Sequence, residues 1–515
     1  MKNLISVFLG LFFVIITYAQ VNTNPDVAAV KYASTITSDE LREAIYFLAG
    51  DSCAGRETGQ QGQKVAAGYI ARHFKQLGLA PVVNDSYFQP FPIEANPKTA
   101  LVIKHKNKKE ESDGIFYLNG FKTGSILIQD AVFAGYGIHS QALNSYDGIQ
   151  VKNKAVFLMD GEPVKNGESL AVPGEKNSEW SVNFRKKVST AEKKGASVVF
   201  IIIPDYQFKS SVADKADIAA EYDMDQYFNP NHIPYLFISE SVAKKWLNFN
   251  AEFNDKSPKI FSNLQLTLNI KTTRDTLYGE NVLGYIEGTD LKHEIVVITA
   301  HYDHLGIHNG KTYYGADDDA SGTAAILEIA EAFSEACKHG YSPRRSVLIM
   351  PVSGEEKGLL GSAYYTNNPI FPLQNTIANL NIDMIGRVDA NHTGNSNYVY
   401  LIGSDKLSTD LHVISENANS TYTKLELYYT YNDPNDPNMF YYRSDHYNFA
   451  KNNIPVIFYF TGVHEDYHKP TDTPDKLDYK KIEKISQLVF YTAWDLANRD
   501  NRPVVDKKNE FKNKR

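Results

Sequence analysis

Cysteine is nearly absent: Cys53 and Cys337 are the two thiols of a 515-residue chain. A zinc site built from thiolates is thereby excluded, and a cysteine nucleophile has no supporting motif. The pair could form one disulfide, and two buried thiols acting as small hydrophobes explain it equally well. Basic excess is also absent. The 53 Lys and Arg against 61 Asp and Glu leave a net charge of −8, the wrong sign for a nucleic-acid-binding face. Beyond the amino terminus no apolar run is long enough to span a bilayer, so no stable membrane span is expected. No internal repeat is evident, and no G-x-S-x-G elbow follows a strand, which argues against a serine hydrolase. What is present, 43% hydrophobic and 22% charged residues, supports a large core and more than one domain.

The first residues, "MKNLISVFLGLFFVIITYAQ", combine Lys2, an apolar run from Leu4 to Ile16 and the small residues Thr17 and Ala19. This pattern predicts a signal peptide over 1–19, cut after Ala19, and a secreted or periplasmic mature chain. Next, "SDELREAIYFLAG" and "GQKVAAGYIARHFKQLGL" carry apolar residues at helical spacing. From about Ser125 to Asn254, short β-rich runs such as "KAVFLMDG" and "ASVVFIIIP" alternate with Gly, Pro and Asn, with one helical stretch, "FRKKVSTAEKKG". After Thr272 strands and helices alternate: "EIVVITAH", "GTAAILEIAEAF" with Ile326, Ala330 and Phe333 on one face, "RSVLIMPVSG", "IANLNIDMIG", "IPVIFYFTG" and a closing helix, "KIEKISQLVFYTAWDLA". Apolar strands alternating with helices predict an α/β fold whose mixed, mostly parallel sheet has helices on both faces. The charged tail 501–515 is expected to be a solvated end.

Acids and imidazoles stand at the carboxyl ends of those strands. "EIVVITA" runs into His301 and Asp303, "VLIMPVSG" into Glu355 and Glu356, and "IANLNI" into Asp383. "IPVIFYF" leads to His464, Tyr467 and His468, and "GADDDASG" brings Asp317, Asp318 and Asp319 between the first strand and its helix. Ligands of open α/β sheets gather at that edge. Imidazole and carboxylate donors without thiolates suit zinc, with manganese or cobalt compatible. The acids outnumber the needs of one tetrahedral ion, which points to two ions about 3.5–4 Å apart.

The motifs "TAHYDHLG", "GADDDASG", "SGEEKGLLGS", "NLNIDMIGR" and "DYHKPTDTPDKL", in that order, resemble the di-zinc aminopeptidases of metallopeptidase family twenty-eight (M28). "LAGDSCAGRETGQQGQKVAAGYI" is similar to the family's opening helices, and "YDGIQVKNKAVFLMDG" resembles part of a protease-associated (PA) domain. The resemblance implies a zinc-aminopeptidase (phosphorylase/hydrolase-like) fold divided into a peptidase part over 20–124, an inserted PA domain over 125–254 and the main peptidase domain over 255–500. It implies two zinc ions per chain. His301 and Asp383 would bind one, Glu356 and His468 the other, and Asp318 would bridge them. Glu355 would be the general base, Tyr467 would steady the oxyanion, and Asp303 would hydrogen-bond His301 and fix its tautomer. A cis peptide is expected after the bridging acid, at Asp318–Asp319. Asp319 would start the following helix, while Asp317 has no assigned place. His464 competes with His468 for its role. His304 reads as a structural or pocket residue, and Asp445 and His446 read equally as pocket or packing residues.

The expected substrates are peptides with a free amino terminus. The rivals are a carboxypeptidase acting on acidic dipeptides, for which Arg387 and Arg443 are the candidate cations, a glutaminyl-cyclase-like transferase using one zinc, and a non-catalytic binding ectodomain. The six tyrosines of "YYTYNDPNDPNMFYYRSDHY" suit a carbohydrate site, a pocket wall or an interface alike.

Overall fold

The computed structural model describes residues 24–94, 98–117, 121–213, 233–254, 257–273 and 276–509. The expected signal segment and the end of the charged tail lie outside them. The chain forms two compact units, one made of residues up to Ile93 and from Tyr278 onward, the other of Glu94–Leu277.

The first unit is an α/β layer structure. Its five central strands are β1 (Ile295–His301), β2 (Ser346–Val352), β3 (Thr376–Ile382), β4 (Tyr398–Ile402) and β5 (Val456–Phe460), in spatial order β2-β1-β3-β5-β4. β1 runs parallel to β2 and β3, and β3 parallel to β5, whereas β4 is antiparallel to β5. Short edge strands, Ala80–Pro81 with Gly284–Ile286 on one side and Glu426–Tyr428 on the other, complete eight strands among the described residues. The sheet is mixed and mostly parallel, as the alternating pattern predicts. All seven residues of each of β1, β2 and β3 are buried, which explains their largely apolar sequences.

The helices of this unit include α1 (Ser38–Leu48), α2 (Gln61–Leu77), α3 (Gly322–Lys338) and α4 (Tyr479–Asn498). α1, α2 and α4 each begin or end on a recognisable signal. Thr37 caps α1, accepting from Glu40 N at 3.3 Å while its hydroxyl donates to the Glu40 carboxylate at 2.6 Å. Asp478 caps α4 through Lys481 N, and Gly78 ends α2 in the left-handed region. α3 departs from the one-faced helix that its sequence pattern suggests. Besides Ile326, Ala330 and Phe333, it buries Ala324, Ala325, Leu327, Ile329 and Ala332. It packs on β1 and also on α1, α2 and α4, so almost no side of it meets water.

The second unit has a six-stranded sheet whose middle strands, Ala131–Phe133, Ala155–Met159, Val198–Ile203 and Tyr235–Ser239, are all parallel. Helices Phe184–Lys193 and Glu240–Leu247 pack on it. A separate antiparallel sheet sets Leu266–Thr273 between Lys98–His105 and Gly124–Ile128. These pairings carry the unit past the 125–254 boundaries expected from composition. Lys98–His105 and Leu266–Thr273 are joined residue by residue across more than 160 positions, which composition does not register.

Candidate metal centre

Sheet register brings the candidate ligands level. Thr299 of β1 pairs with Asn381 of β3, so His301 and Asp383, each two residues further on, leave the sheet side by side. His301 also pairs with Val352, three residues before Glu355. A side-chain relay fixes Asp383: Thr299 Oγ1 donates to Asn381 Oδ1 at 2.6 Å, Asn381 Nδ2 to Ser444 Oγ at 2.9 Å, and Ser444 Oγ to Asp383 Oδ2 at 2.7 Å. One Asp383 oxygen is thereby held, and Oδ1 faces His301 Nε2 at 3.6 Å.

Asp318 sits in the middle with its two oxygens turned to different partners. Oδ1 lies 3.2 Å from His301 Nε2, and Oδ2 lies 3.1 Å from His468 Nε2, which is itself 3.1 Å from Glu356 Oε2. Donor atoms around one tetrahedral zinc stand about 3.4 Å apart, so these separations fit. Among the described residues, buried His301 Nε2, Asp318 Oδ2 and Glu356 Oε1 have only ion-pair contacts within this cluster and no hydrogen bond of good geometry. Such atoms are costly unless something absent from the protein chain binds them. The residues present therefore fit divalent cations.

The three acids of "DDD" have separate placements. Asp319 Oδ1 accepts from Gly322 N at 2.8 Å, at the start of α3, and from Met384 N at 3.1 Å. Asp317 is fully buried, with Oδ1 accepting from Gly386 N at 2.6 Å and Oδ2 3.2 Å from His464 Nε2. It ties the loop of Asp318 to two other loops, and His464 faces Asp317 rather than the central carboxylate. The Asp318–Asp319 peptide is cis.

Asp303 departs from expectation. Its main-chain carbonyl is the nearer group to His301 Nδ1, at 3.2 Å, with the carboxylate at 3.7 Å. The carboxylate is instead engaged by Thr58 Oγ1 at 2.6 Å and Glu355 N at 3.3 Å, so it braces the segment carrying Glu355.

Tyr467 stacks on His468, ring centroids 3.9 Å apart, and receives a hydrogen bond from Arg443 Nη2 at 3.3 Å. Asp318, Glu355, Asp383, Phe440, Arg443 and Tyr467 line one small pocket. Asp445 and His446 are fully buried away from it, with Asp445 accepting from Ser362.

The electrostatics are those of an acid-rich hole. Burial opposes a charged His301, but Asp383, Glu355 and the nearby carboxylates outweigh it and hold the imidazole well above its ordinary range. His468 is likewise pushed up to about 10, burial being overcome by Asp318 and Glu356. Burial, reinforced by the charges of Glu356 and Asp383, raises Glu355 well above the usual carboxylate range. Glu356 is lowered, because its contacts with His304 and His468 exceed the effect of burial and of Asp318. Tyr467 is raised by burial and by Asp318, so its hydroxyl stays protonated and able to donate.

Two further features shape the candidate centre: His304, read from the sequence as a structural or pocket residue, and Arg56, which the sequence alone does not single out. His304 is fully buried with Nδ1 2.8 Å from Glu356 Oε1. It joins Asp318 and Glu356 in one of two possible cation-holding groups among the described residues, the other being His301, Asp319 and Asp383. The spacing H-x-x-H in "HYDH" is the only local signal for it. The second feature is Arg56, also fully buried. Its guanidinium donates to the carbonyls of Leu48, Tyr302, Tyr314 and Gly315 at 2.7–2.8 Å, stitching together the loops that carry His301 and Asp318. Burial lowers its pKa against the raising effect of Cys53, Asp303 and Asp318. Gly55, at φ +70°, permits this approach: a Cβ there would lie 2.4 Å from the Gly306 carbonyl oxygen. Cys53 and Cys337 are both free thiols.

Fold and donor set together define a class, an α/β domain with a candidate carboxylate–imidazole metal centre at the carboxyl edge of its sheet. Residues 281–493 match the model of peptidase family M28. It is 24% identical over 264 residues to aminopeptidase YwaD of Bacillus subtilis, covering 47% of this chain and 50% of that protein. It is 34% identical over 119 residues to a probable glutamate carboxypeptidase, LAMP1, of Arabidopsis thaliana, covering 22% of this chain and 16% of that protein. The chain thus spans half or less of the length of these curated relatives. The structure of BSAP, a zinc aminopeptidase from Bacillus subtilis, shares the fold with a TM-score of 0.51 at 18% identity, over 92% of this chain and 99% of that one. Thr58 and Arg56 lie outside the matched stretch, although both brace the loops of the candidate centre.

Proposed function

We propose that this protein is a secreted, zinc-dependent exopeptidase that removes the amino-terminal residue of peptides with a free N-terminus. The observation that carries this reading is Asp318, whose two oxygens face two different imidazole–carboxylate sets, with Glu355 beside them and outside both. We assign His301 and Asp383 to one ion, Glu356 and His468 to the other, and Asp318 to both, with His304 orienting Glu356. Bound zinc would supply the Lewis acidity that activates water and polarises the scissile carbonyl. Glu355 takes a proton from the attacking water and returns it to the leaving amine. Its burial among acids favours a carboxyl that can hold that proton in transit. Tyr467, kept neutral and held by Arg443, donates to the developing oxyanion. The names of YwaD and BSAP support the aminopeptidase reading, and the leader sequence supports export. No helix among the described residues is long and apolar enough to cross a membrane. We read Glu94–Leu277 as a PA module, supported by the stretch around Ala155–Met159, which forms a central strand of that unit.

A carboxypeptidase acting on acidic dipeptides is the second reading, suggested by the name of LAMP1 and by Arg443 in the pocket wall. The other candidate cation, Arg387, is paired with Asp466 at 3.0 Å and lies 3.5 Å from Glu465, which leaves Arg443 alone to hold a carboxylate. Metal analysis combined with peptide hydrolysis decides between them. The expected result is about two zinc ions per chain, chelator-sensitive release of amino-terminal residues from unblocked peptides, and no cleavage after N-acetylation. Cleavage of N-blocked acidic dipeptides, or indifference to chelators, overturns the aminopeptidase reading.

A further inference from the structure

The tyrosine-rich loop walls a second cavity beside the catalytic pocket. The turn Phe440–Tyr442 divides the two: Phe440 and Arg443 line the pocket of Glu355 and Asp383, while Tyr441 and Tyr442 line a neighbouring cavity of about 420 Å³. That volume is within the range of small-ligand sites.

Three rings form its corner. Tyr441 and Tyr442 meet at 88° with centroids 5.5 Å apart, Tyr442 and Tyr447 at 70° and 5.1 Å, and Tyr441 and Tyr447 at 73° and 6.3 Å. Mutually steep planes make a box rather than the flat platform on which a sugar ring stacks. The charge of the lining is negative. Asp433 and Asp436 both line the cavity, and among the described residues their oxygens accept only neutral N–H groups of their own loop, from Asn435, Asn438 and Phe440. Lys406, the lining cation among the described residues, donates its ammonium to the Asn432 carbonyl. Tyr447 already attracts a cation of the protein itself, the Lys451 ammonium lying 5.0 Å from its ring centroid. Aromatic walls at steep angles with carboxylates nearby hold compact organic cations.

We propose that this cavity binds an ammonium or guanidinium group. A basic side chain elsewhere in the peptide substrate would carry it, an extension that rests on the peptidase reading. The test separates binding from turnover. Full-length Glu355→Gln protein is titrated calorimetrically with N-acetyl-lysine methylamide, its neutral counterpart N-acetyl-norleucine methylamide, and glucose. The lysine derivative should bind and the other two should not. Tyr442→Ala should weaken binding about tenfold and Asp433→Asn about threefold, with circular dichroism unchanged. Asp433 is exposed and its replacement keeps the acceptor for Asn435 N, so this variant tests the idea even if loss of Tyr442 disturbs the loop. Equal binding of the norleucine derivative, binding of glucose instead, or indifference to both substitutions overturns the proposal. Cation binding by a protein that cleaves no peptide would overturn the peptidase reading and leave the cavity assignment standing.

Discussion

Both units of this chain bury parallel strands beneath helices, and in both units acids follow the strand ends. In the Glu94–Leu277 unit each such acid has partners. Glu162, beyond Ala155–Met159, accepts from Ser169 Oγ at 2.5 Å and from the amide and hydroxyl of Ser178 at 2.6 and 2.5 Å. Asp205, after Val198–Ile203, accepts from Ser241 N at 3.1 Å, and Glu240, after Tyr235–Ser239, pairs with Lys244 at 2.7 Å. In the other unit, His301 Nε2, Asp318 Oδ2 and Glu356 Oε1 are buried against imidazoles and carboxylates of their own cluster, and both possible cation-holding groups among the described residues lie there. Carboxylates at strand ends therefore do not mark a site in themselves. Buried polar atoms left open toward one another do, because desolvation without compensation is tolerable only when a ligand supplies it.

The sharpest way to break this contrast is Glu355→Gln. It should lower kcat about 10²–10⁴-fold while zinc content stays at the wild-type level. Loss of metal instead would mean that Glu355 and Glu356 exchange roles. The next effect is on stability. Arg56→Met removes a buried cation from between two site loops and takes a donor away from four carbonyls, of which that of Gly315 keeps Ala320 N. It should cost on the order of 3–5 kcal/mol in urea unfolding and weaken zinc retention during dialysis. Arg56→Lys keeps the charge without the planar fork and should recover only part of either loss. An unchanged denaturation midpoint for Arg56→Met would show that the N-terminal segment does not brace the site.

Buried and partnered acids should also differ in the sign of their pH dependence. Glu328, on α3 and close to Glu40 and Glu331, is raised by burial to about 9. Its unfolded-state pKa is lower, so the stability present at acid pH is lost as pH rises toward 9. Glu328→Gln should remove that loss, gaining on the order of 3 kcal/mol relative to wild type between about pH 5 and about pH 8. Glu162 is shifted the other way: burial raises it, but hydrogen bonds from Ser169 and Ser178 prevail and lower it. Its contribution is present above the unfolded pKa and disappears as pH falls through the folded one. Glu162→Gln should therefore cost about 1 kcal/mol near neutrality, and the difference should shrink in acid. Melting curves across pH for the two variants test both signs, and parallel curves would remove the distinction drawn between the units.

Much of the candidate centre is legible in the chain itself. "EIVVITAH" and "IANLNID" are short, largely apolar runs ending in donor residues, and such runs are consistent with buried parallel strands. The chemistry of the donor types, imidazole and carboxylate without thiolate, follows from composition alone. Other details depend on partners far away in the chain. The carboxylate of Asp303 is drawn from His301 by Thr58, 245 residues distant, and Arg56 reaches Tyr302 across 246. His304 becomes a neighbour of Glu356 only when β1 and β2 lie side by side, and the limits of the second unit follow from the pairing of Leu266–Thr273 with Lys98–His105. Local periodicity determined the strands, the helices and the edge at which the donors collect. Tertiary structure decided which oxygen of each acid stays open, because hydrogen bonds from distant segments compete for the same lone pairs and only the folded chain brings those competitors together.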